Sequence, residues 1–458
     1  RYFDIEFDEG AGFDDTDPRN AYGPYFQRQR VEIYHTYAKS LVERGLAYPC
    51  FCTEEELDKV RAKQEEDKVL TGYYGEYATC RNLSYEEIEA NIKAGKPYVL
   101  RLRSQGSPDK EITFVDAIKG EIKLPENIHD IVLLKKDGIP TYHFAHAIDD
   151  HLMRTTTVVR GGEWLASAPI HYELFHLLGF KMPAYAHTAH LMKFDEETGG
   201  KRKLSKRKDP ELSLDYYRKD GYHPYTMKVY LLTLLNSNFE EWHEKFPDKD
   251  INEFPFSVEK MNQSGALFDK DKLHNICKNE LSKLSEEELY DFLYDWAKEN
   301  EPENVEKWFG DREKMLQILR LYMGVGAKRR RKDLMYAKQI FELISYFFDG
   351  ESAEEMDEFK LDEDMVSKIL KSYLAKYDHN DDNSVWFNKL KEIADEHGFA
   401  SDMKAYKANP ENFKGNVSDI AEAVRIAVTG RANTPDLWTI VHIMGEEQMT
   451  ERIKKHIK

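Results

Sequence analysis

Two hydrophobic periods alternate along the first part of the chain. Residues 98–103 (YVLRLR) place apolar side chains at every second position, which predicts a half-buried strand. Residues 131–134 (IVLL) form a short apolar run ending at the Asp137, Gly138 turn, and 157–159 (TVV) read as a further strand. A helix is expected from about 164 to 178. Before these strands, Val31, Tyr34, Ala38, Leu41 and Val42 recur at helical spacing and mark one face of a helix. Thr53 with Glu56 and Ser84 with Glu87 have the spacing of capping boxes, so a helix is expected to start at each. Beyond about residue 257 the strand signals almost vanish. Ser285 with Glu288 opens another helix, and helical patterns follow at 316–321, 334–348, 365–377 and 420–428. The acidic stretch 351–364 reads as a solvated connection between helical layers. The pattern predicts an α/β front half and an all-helical rear half.

Composition narrows the class. A chain of 458 residues, 41% hydrophobic, can bury several cores, and about three domains is the expectation. No stretch approaches the roughly 18 consecutive apolar residues of a membrane span. Four cysteines are too few for a disulfide framework at this length, and no secretory signal opens the chain. A reducing, cytoplasmic protein is expected. The first residue is Arg1 rather than Met, which reads as a cut. With 66 Lys and Arg against 84 Asp and Glu, the net charge is −18, so contact with nucleic acid must rest on local basic patches.

The densest such patch is 201–208 (KRKLSKRK), six cations in eight residues after Gly199 and Gly200. Composition alone allows a solvated loop or a nuclear-localisation-like tract. The sharper reading has Lys203 and Lys206 flank Ser205 and stabilise a polyphosphate whose charge grows as pyrophosphate leaves. Flexible ammonium groups can follow moving phosphates as point charges. A second constellation gathers 142–146 (YHFAH), 149–151 (DDH) and 160–164 (RGGEW) within about 20 residues, at expected strand and loop ends. The glycine pair beside Arg160 would let a backbone approach a ligand closely. The Arg160 fork would suit bidentate recognition of a carboxylate.

With these residues in view, the chain resembles the glutamyl-tRNA synthetases. Residues 203–207 (KLSKR) look like the KMSKS-type loop of class I aminoacyl-tRNA synthetases. Residues 142–153 with 160–164 resemble the glutamyl family, as do 23–30 (GPYFQRQR), 264–269 (SGALFD) and 425–431 (RIAVTGR). These matches run in family order along most of the chain. The resemblance implies an α/β Rossmann-type catalytic domain, present as its second half plus a connective insertion, followed by an all-α anticodon-binding domain. The expected segments are 1–45, the remnant of the first Rossmann half; 46–140, the acceptor-binding insertion; and 141–198, the second Rossmann half. Then come 199–282, the KMSKS-type loop and stem-contact region, and 283–458, the helical anticodon-binding domain. The family's HIGH-type motif and Arg-Ile-Glu-Asp-Thr-Asp-like segment normally precede the position of Arg1, and Asp15, Thr16 and Asp17 lie too late to replace them. A chain of these residues alone is expected to bind tRNA and catalyse poorly, its parent protein to be active.

The resemblance also implies roles. Tyr142, His146, Arg160 and Trp164 take amino-acid-pocket positions, although the family often has Asn where His146 stands. Arg160 would pair with the substrate's side-chain carboxylate, and a glutamine side chain would leave that charge imperfectly paired. Glutamate would attack the α-phosphate of ATP, with Mg²⁺ and lysines stabilising the pyrophosphate, and the terminal ribose of tRNA would then take the glutamyl group. Lys206 carries the main phosphate role and Lys203 a supporting one, with Ser205 and Arg207 completing the ATP-binding loop. No side-chain nucleophile is needed. Lys328, Arg329, Arg330 and Arg331, placed at the start of a helix, are read as a contact to tRNA phosphates, with a solvated face as the alternative.

Cys50, Cys52 and Cys80 resemble the start of a zinc knuckle, which Glu76 or Tyr77 could complete. Three reduced, inert thiols are the alternative. Cys277 and the aromatics at 346–348 are expected in the core. The implied partners are L-glutamate, ATP and tRNA-Glu, with tRNA-Gln open as a second acceptor, and the protein is expected to be a monomer. A glutaminyl enzyme fits less well, because 160–164 and the long helical rear half argue against it. A paralogue glutamylating a modified tRNA base would lack that rear half. A non-catalytic tRNA-binding protein would need neither the lysine loop nor Arg160.

Overall fold

Three capping boxes start helices where the spacing predicts them. Thr53, Ser84 and Ser285 each accept the amide of the glutamate three residues on, whose side chain returns to the cap's own amide. The computed structural model of the chain describes residues 2–3, 5–11, 18–195, 197–263, 265–348 and 356–458. Asp15, Thr16, Asp17, Ser264 and positions 351–355 of the acidic run lie outside the described residues.

The chain forms two compact units. The first comprises Phe3–Leu204 and Leu232–Phe268, the second Ser205–Leu231 and Asp269–Lys458. In chain order the first runs through α1 (Val31–Glu43), β1 (Ala47–Cys50), α2 (Glu54–Glu66), α3 (Tyr85–Lys93), β2 (Val99–Leu102), β3 (Glu111–Asp116), β4 (Gly120–Pro125) and β5 (Val132–Leu134). It continues with α4 (Tyr142–Leu152), β6 (Thr157–Gly161), α5 (Ala168–Leu178), β7 (Ala184–Thr188), β8 (Leu191–Phe194) and β9 (Lys201–Lys203). β1, β2 and β5 form an antiparallel sheet. The site depends on a second sheet, ordered β4-β3-β7-β6. There β6 and β7 are parallel and joined through α5, a βαβ unit, and β3 of the β3–β4 hairpin lies parallel to β7.

Three sequence expectations change here. Residues 142–146 open helix α4, since Phe144, Ala145, Ala147 and Ile148 recur at helical spacing and are buried. The 164–178 helix begins as a 3-10 turn, and its α-helical part starts at Ala168, with Pro169 in its first turn and Gly179 ending it at φ +73°. Residues 201–203 are not loop: they pair with 192–194 as strand β9.

After α6 (Leu214–Asp220), α7 (Pro224–Leu235), α8 (Phe239–Lys245) and the two-residue β10 (Ala266–Leu267), the remaining elements are all helical. These are α9 (Lys270–Leu281), α10 (Glu286–Asn300), α11 (Val305–Phe309), α12 (Arg312–Met323), α13 (Ala337–Ile344), α14 (Glu363–Lys376) and α15 (Asn383–His397). α16 (Met403–Ala408), α17 (Val417–Thr429), α18 (Leu437–Met444) and α19 (Glu446–Lys454) close the chain. One core built on Leu293, Leu319, Ile340, Leu370, Ile393 and Val424 runs through them. Cys277, Tyr346 and Phe347 are buried as expected. The last two residues of the acidic run enter α14, whose cap is Asp362. No helix among the described residues is long and apolar enough to cross a membrane.

Candidate functional site

Ligands of open α/β sheets settle beyond the carboxyl ends of parallel strands, and that is where Arg160 stands. Parallel register sets Arg160 of β6 opposite His187 of β7, while Asp116 of β3 pairs across β7 with Tyr185. Arg160 donates its Nε–H to His187 Nε2 at 3.0 Å. The other ring nitrogen of His187, Nδ1, lies 2.6 Å from Asp116 Oδ2, with both side chains fully buried. On the helix side, an Nη2–H of Arg160 meets His171 Nδ1 at 3.1 Å, and His171 Nε2 meets His143 Nδ1 at 2.9 Å.

A guanidinium can only donate, so both imidazoles must present a lone pair to it. His187 then carries its proton on Nδ1, toward Asp116, and His171 carries its proton on Nε2, toward His143. Burial pushes His171 down to about 2, helped by the nearby charge of Arg160. Burial also lowers His143 and His187. For Asp116, burial acts upward, but bonds from the Lys119 amide, His187 and the Ile118 amide outweigh it and hold the carboxyl below its usual range. Arg160 enters no ion pair among the described residues, and its Nη1 is buried without a hydrogen-bond partner. A full positive charge is therefore held in place by neutral acceptors, with one donor unspent.

Tyr142 and Trp164 pack ring to ring at 4.6 Å, and the Arg160 guanidinium lies 4.7 Å from the Tyr185 ring and 5.8 Å from that of Trp164. Tyr142 is 45% exposed, so it forms the open side of this group. His146 is buried with both ring nitrogens engaged, Nδ1 with Asp150 at 2.5 Å and Nε2 with the Tyr185 hydroxyl at 2.7 Å. Both ring nitrogens are thus engaged within the protein. A Cβ on Gly162 would sit 3.1 Å from the Thr188 carbonyl, so this glycine allows a close approach to β7.

Lys203, on β9, is exposed, its Nζ 4.0 Å from Glu163, which also faces His190 at 3.3 Å. Residues 205–209 close on themselves. The Ser205 amide donates to Asp209 Oδ2 at 2.8 Å, and the amides of Lys208 and Asp209 donate back to the Ser205 carbonyl. This turn leaves Lys206 and Arg207 exposed.

The sulfurs of Cys50, Cys52 and Cys80 lie within 4.8 Å of one another. The oxygens beside them belong to neither Glu76 nor Tyr77. Glu76 is exposed and Tyr77 donates to Asp67 at 3.1 Å. Two hydroxyls lie there instead: that of Tyr73, 3.4 Å from the Cys50 sulfur and 3.3 Å from that of Cys52, and that of Thr79, 3.2 Å from the Cys52 sulfur. Hydrogen bonds from the Cys52 and Cys80 thiols favour the thiolate of Cys50 and lower its pKa strongly.

In the second unit, Lys328, Arg329, Arg330 and Arg331 lie in the connection between α12 and α13, not at a helix start. Gly324 ends α12 at φ +65°, and the Arg331 amide donates to the Met323 carbonyl at 2.9 Å, which turns the chain back. A Cβ on Gly324 would meet the Arg331 amide nitrogen at 3.0 Å. Arg331 pairs with Asp333 at 2.6 Å, whereas Lys328, Arg329 and Arg330 are exposed and enter no ion pair among the described residues. Arg329 and Arg331 line a cleft of about 720 Å³ together with Arg320, Pro435, Thr439 and His442.

Two family descriptions together cover the parallel strands that carry Arg160, the lysine-bearing run after them and the helical rear part, and they make the chain a class I aminoacyl-tRNA synthetase. Residues 4–275 match the family described as tRNA synthetases class I (E and Q), catalytic domain, and 288–457 match the anticodon binding domain. A glutamate–tRNA ligase of Acetivibrio thermocellus is 53% identical over 99% of this chain and 82% of its own length. One from Clostridium perfringens (strain SM101) is 46% identical with the same coverage of both chains. The crystal structure of a glutamate tRNA ligase from Elizabethkingia meningosepticum in complex with its amino acid superposes with a TM-score of 0.71 at 26% identity, covering 95% of this chain and 84% of that one. The chain belongs to the glutamate–tRNA ligase family.

Proposed function

We propose that this chain ligates L-glutamate to the 3′ end of tRNA-Glu by way of a glutamyl-adenylate, with Arg160 holding the side-chain carboxylate of the amino acid. The observation that carries the reading is the half-buried Arg160 guanidinium, held by neutral acceptors and with its buried Nη1 unpartnered. An anion is the ligand such a group favours, because an uncompensated buried charge costs several kcal/mol, about 3–5 when a partner is removed. Tyr142 and Trp164 would bound the amino acid on the open side. Lys206, on the turn that closes at Asp209, would follow the departing pyrophosphate with Lys203 in support, Ser205 and Arg207 completing the loop, and Mg²⁺ brought by ATP would add charge neutralisation. The insertion near 46–140 would grip the acceptor end, and Lys328, Arg329, Arg330 and Arg331 would contact phosphates of the anticodon arm.

Three thiols with a tyrosine hydroxyl against two of them fit a tetrahedral zinc site, and Cys50, Cys52, Cys80 and Tyr73 would hold the ion. Zinc there would tie the segments around β1 and Cys80 together. Metal analysis of protein purified without chelator should give one zinc per chain, and none after Cys52→Ser.

Charging of tRNA with labelled glutamate, ATP and Mg²⁺ tests the main reading, with this chain and the product of its complete reading frame assayed side by side. Glutamyl-tRNA made by the complete product, and lost in its Arg160→Leu variant, supports the proposal. Binding of tRNA with no charging by either would replace it with a tRNA-binding role.

A further inference from the structure

We infer that Asp116, His187 and His171 are positioning residues that set the preference for an anionic substrate, by holding Arg160 through neutral acceptors rather than through a counter-ion. The inference rests on the reading of Arg160 given above. None of the three lies in the runs that carry the family resemblance, and their connection is visible only across the sheet.

The reasoning starts at Asp116. Its Oδ1 accepts the amides of Ile118 and Lys119, both at 2.9 Å, and its Oδ2 accepts the His187 amide at 3.0 Å and His187 Nδ1 at 2.6 Å. Four donors converge on one side chain, which only an ionised carboxylate can satisfy. The carboxylate fixes the His187 proton on Nδ1 and leaves the Nε2 lone pair for Arg160. Asp116, His187 and Arg160 form a row across β3, β7 and β6, so strand register aims the guanidinium. His171 acts from α5 in the same manner, its proton turned away toward His143.

The placement has an electrostatic consequence. If a carboxylate touched Arg160 directly, the guanidinium would be neutralised, and a glutamine side chain would fit about as well as glutamate. With His187 between them, Asp116 orients Arg160 without forming an ion pair with it. A ligand carboxylate is then the group that completes the site.

Two pairs of near-isosteric substitutions, made in the product of the complete reading frame, separate this role from simple packing. In His187→Gln the amide oxygen can stand where Nε2 stood and accept from Arg160. In His187→Asn the amide keeps the bond to Asp116 and withdraws the acceptor from Arg160. The Asn variant should raise the KM for glutamate about tenfold over the Gln variant, with the KM for ATP the same in both. At the second position, His171→Asn keeps a neutral acceptor at the Nδ1 place, and His171→Asp adds a charge at the same place. The Asp variant should lose on the order of tenfold or more of the discrimination between glutamate and glutamine that the Asn variant keeps. A purely structural role would move KM for glutamate and KM for ATP together, and would penalise Gln at 187 as much as Asn. Equal KM values for glutamate in the 187 pair, or equal discrimination in the 171 pair, would overturn the inference while leaving Arg160 as the carboxylate ligand. If Arg160→Leu itself leaves the KM for glutamate and the discrimination unchanged, the pocket reading fails instead.

Discussion

The two units carry positive charge in opposite ways. In the α/β unit the half-buried guanidinium of Arg160 is held by His171 and His187, and its orientation descends from Asp116 two strands away. In the helical unit Lys328, Arg329 and Arg330 stand exposed on a connection and enter no ion pair among the described residues. A half-buried, aimed charge recognises one small anion and is little screened by salt, whereas exposed cations attract a polyanion and weaken as counter-ions compete. The comparison teaches that a chain with net charge −18 needs no basic surface overall to handle both an amino acid and a nucleic acid. It needs one cation placed with precision and a few left free.

The contrast can be broken at its strong end first. Arg160→Leu should lower kcat/KM for glutamate by about two to three orders of magnitude, since it removes a desolvated charge partner, and steady-state charging assays would detect it. Next, Lys206→Ala should cut kcat on the order of a hundredfold while the KM for glutamate stays put, because its charge matters as pyrophosphate departs. Pre-steady-state formation of adenylate separates that from a binding defect. At the exposed end, changing Lys328, Arg329 and Arg330 together to Gln should raise the KM for tRNA about tenfold. It should also flatten the plot of log affinity against log salt by about two to three, with glutamate kinetics untouched.

A last test reads acid stability rather than activity. The folded protein holds His171, His143 and His187 below the ordinary histidine pKa, so on acidification the unfolded chain takes up protons that the native pocket refuses. Stability is full above about pH 6.5 and falls below it, by up to about 1.4 kcal/mol per pH unit for each such histidine. Urea midpoints taken from pH 7 to 5.5 should fall, and the fall should be shallower in His171→Asn.

Much of this was readable from the residues, for physical reasons that also explain the failures. Capping boxes at Thr53, Ser84 and Ser285 are local interactions, and local interactions show themselves in spacing. The same holds for the buried faces of α1 and α17, which follow one helical period. Arg160, Tyr142 and Trp164 were within reach because they fall in two short runs, and the structure brings them together. His171, His187 and Asp116 were missed, since only strand register and the α5 crossover join them. A signal existed: seven of the sixteen histidines fall between 143 and 190, a density that solvent-facing loops do not require. The 328–332 run is not a helix start, and its cations would be disfavoured in a first turn, where the helix dipole favours acidic residues. Gly324 and Gly326, both at positive φ, turn the chain there instead. The candidate fourth ligand beside the three thiols escaped for a similar reason, as Tyr73 lies seven positions before Cys80 and reaches the sulfurs only through the fold.

The row formed by Asp116, His187 and Arg160 bears on how this enzyme could be altered by recombination. Its three members come from separate stretches of chain and meet only through the pairing of β3, β7 and β6. No short segment transplanted from a relative carries the row with it, and a graft that shifts β7 by one residue would turn His187 to the other face of the sheet. The smallest exchangeable module for amino-acid choice is therefore the whole four-stranded sheet with its crossover helix. The cations of the α12–α13 connection, by contrast, could be exchanged as one loop.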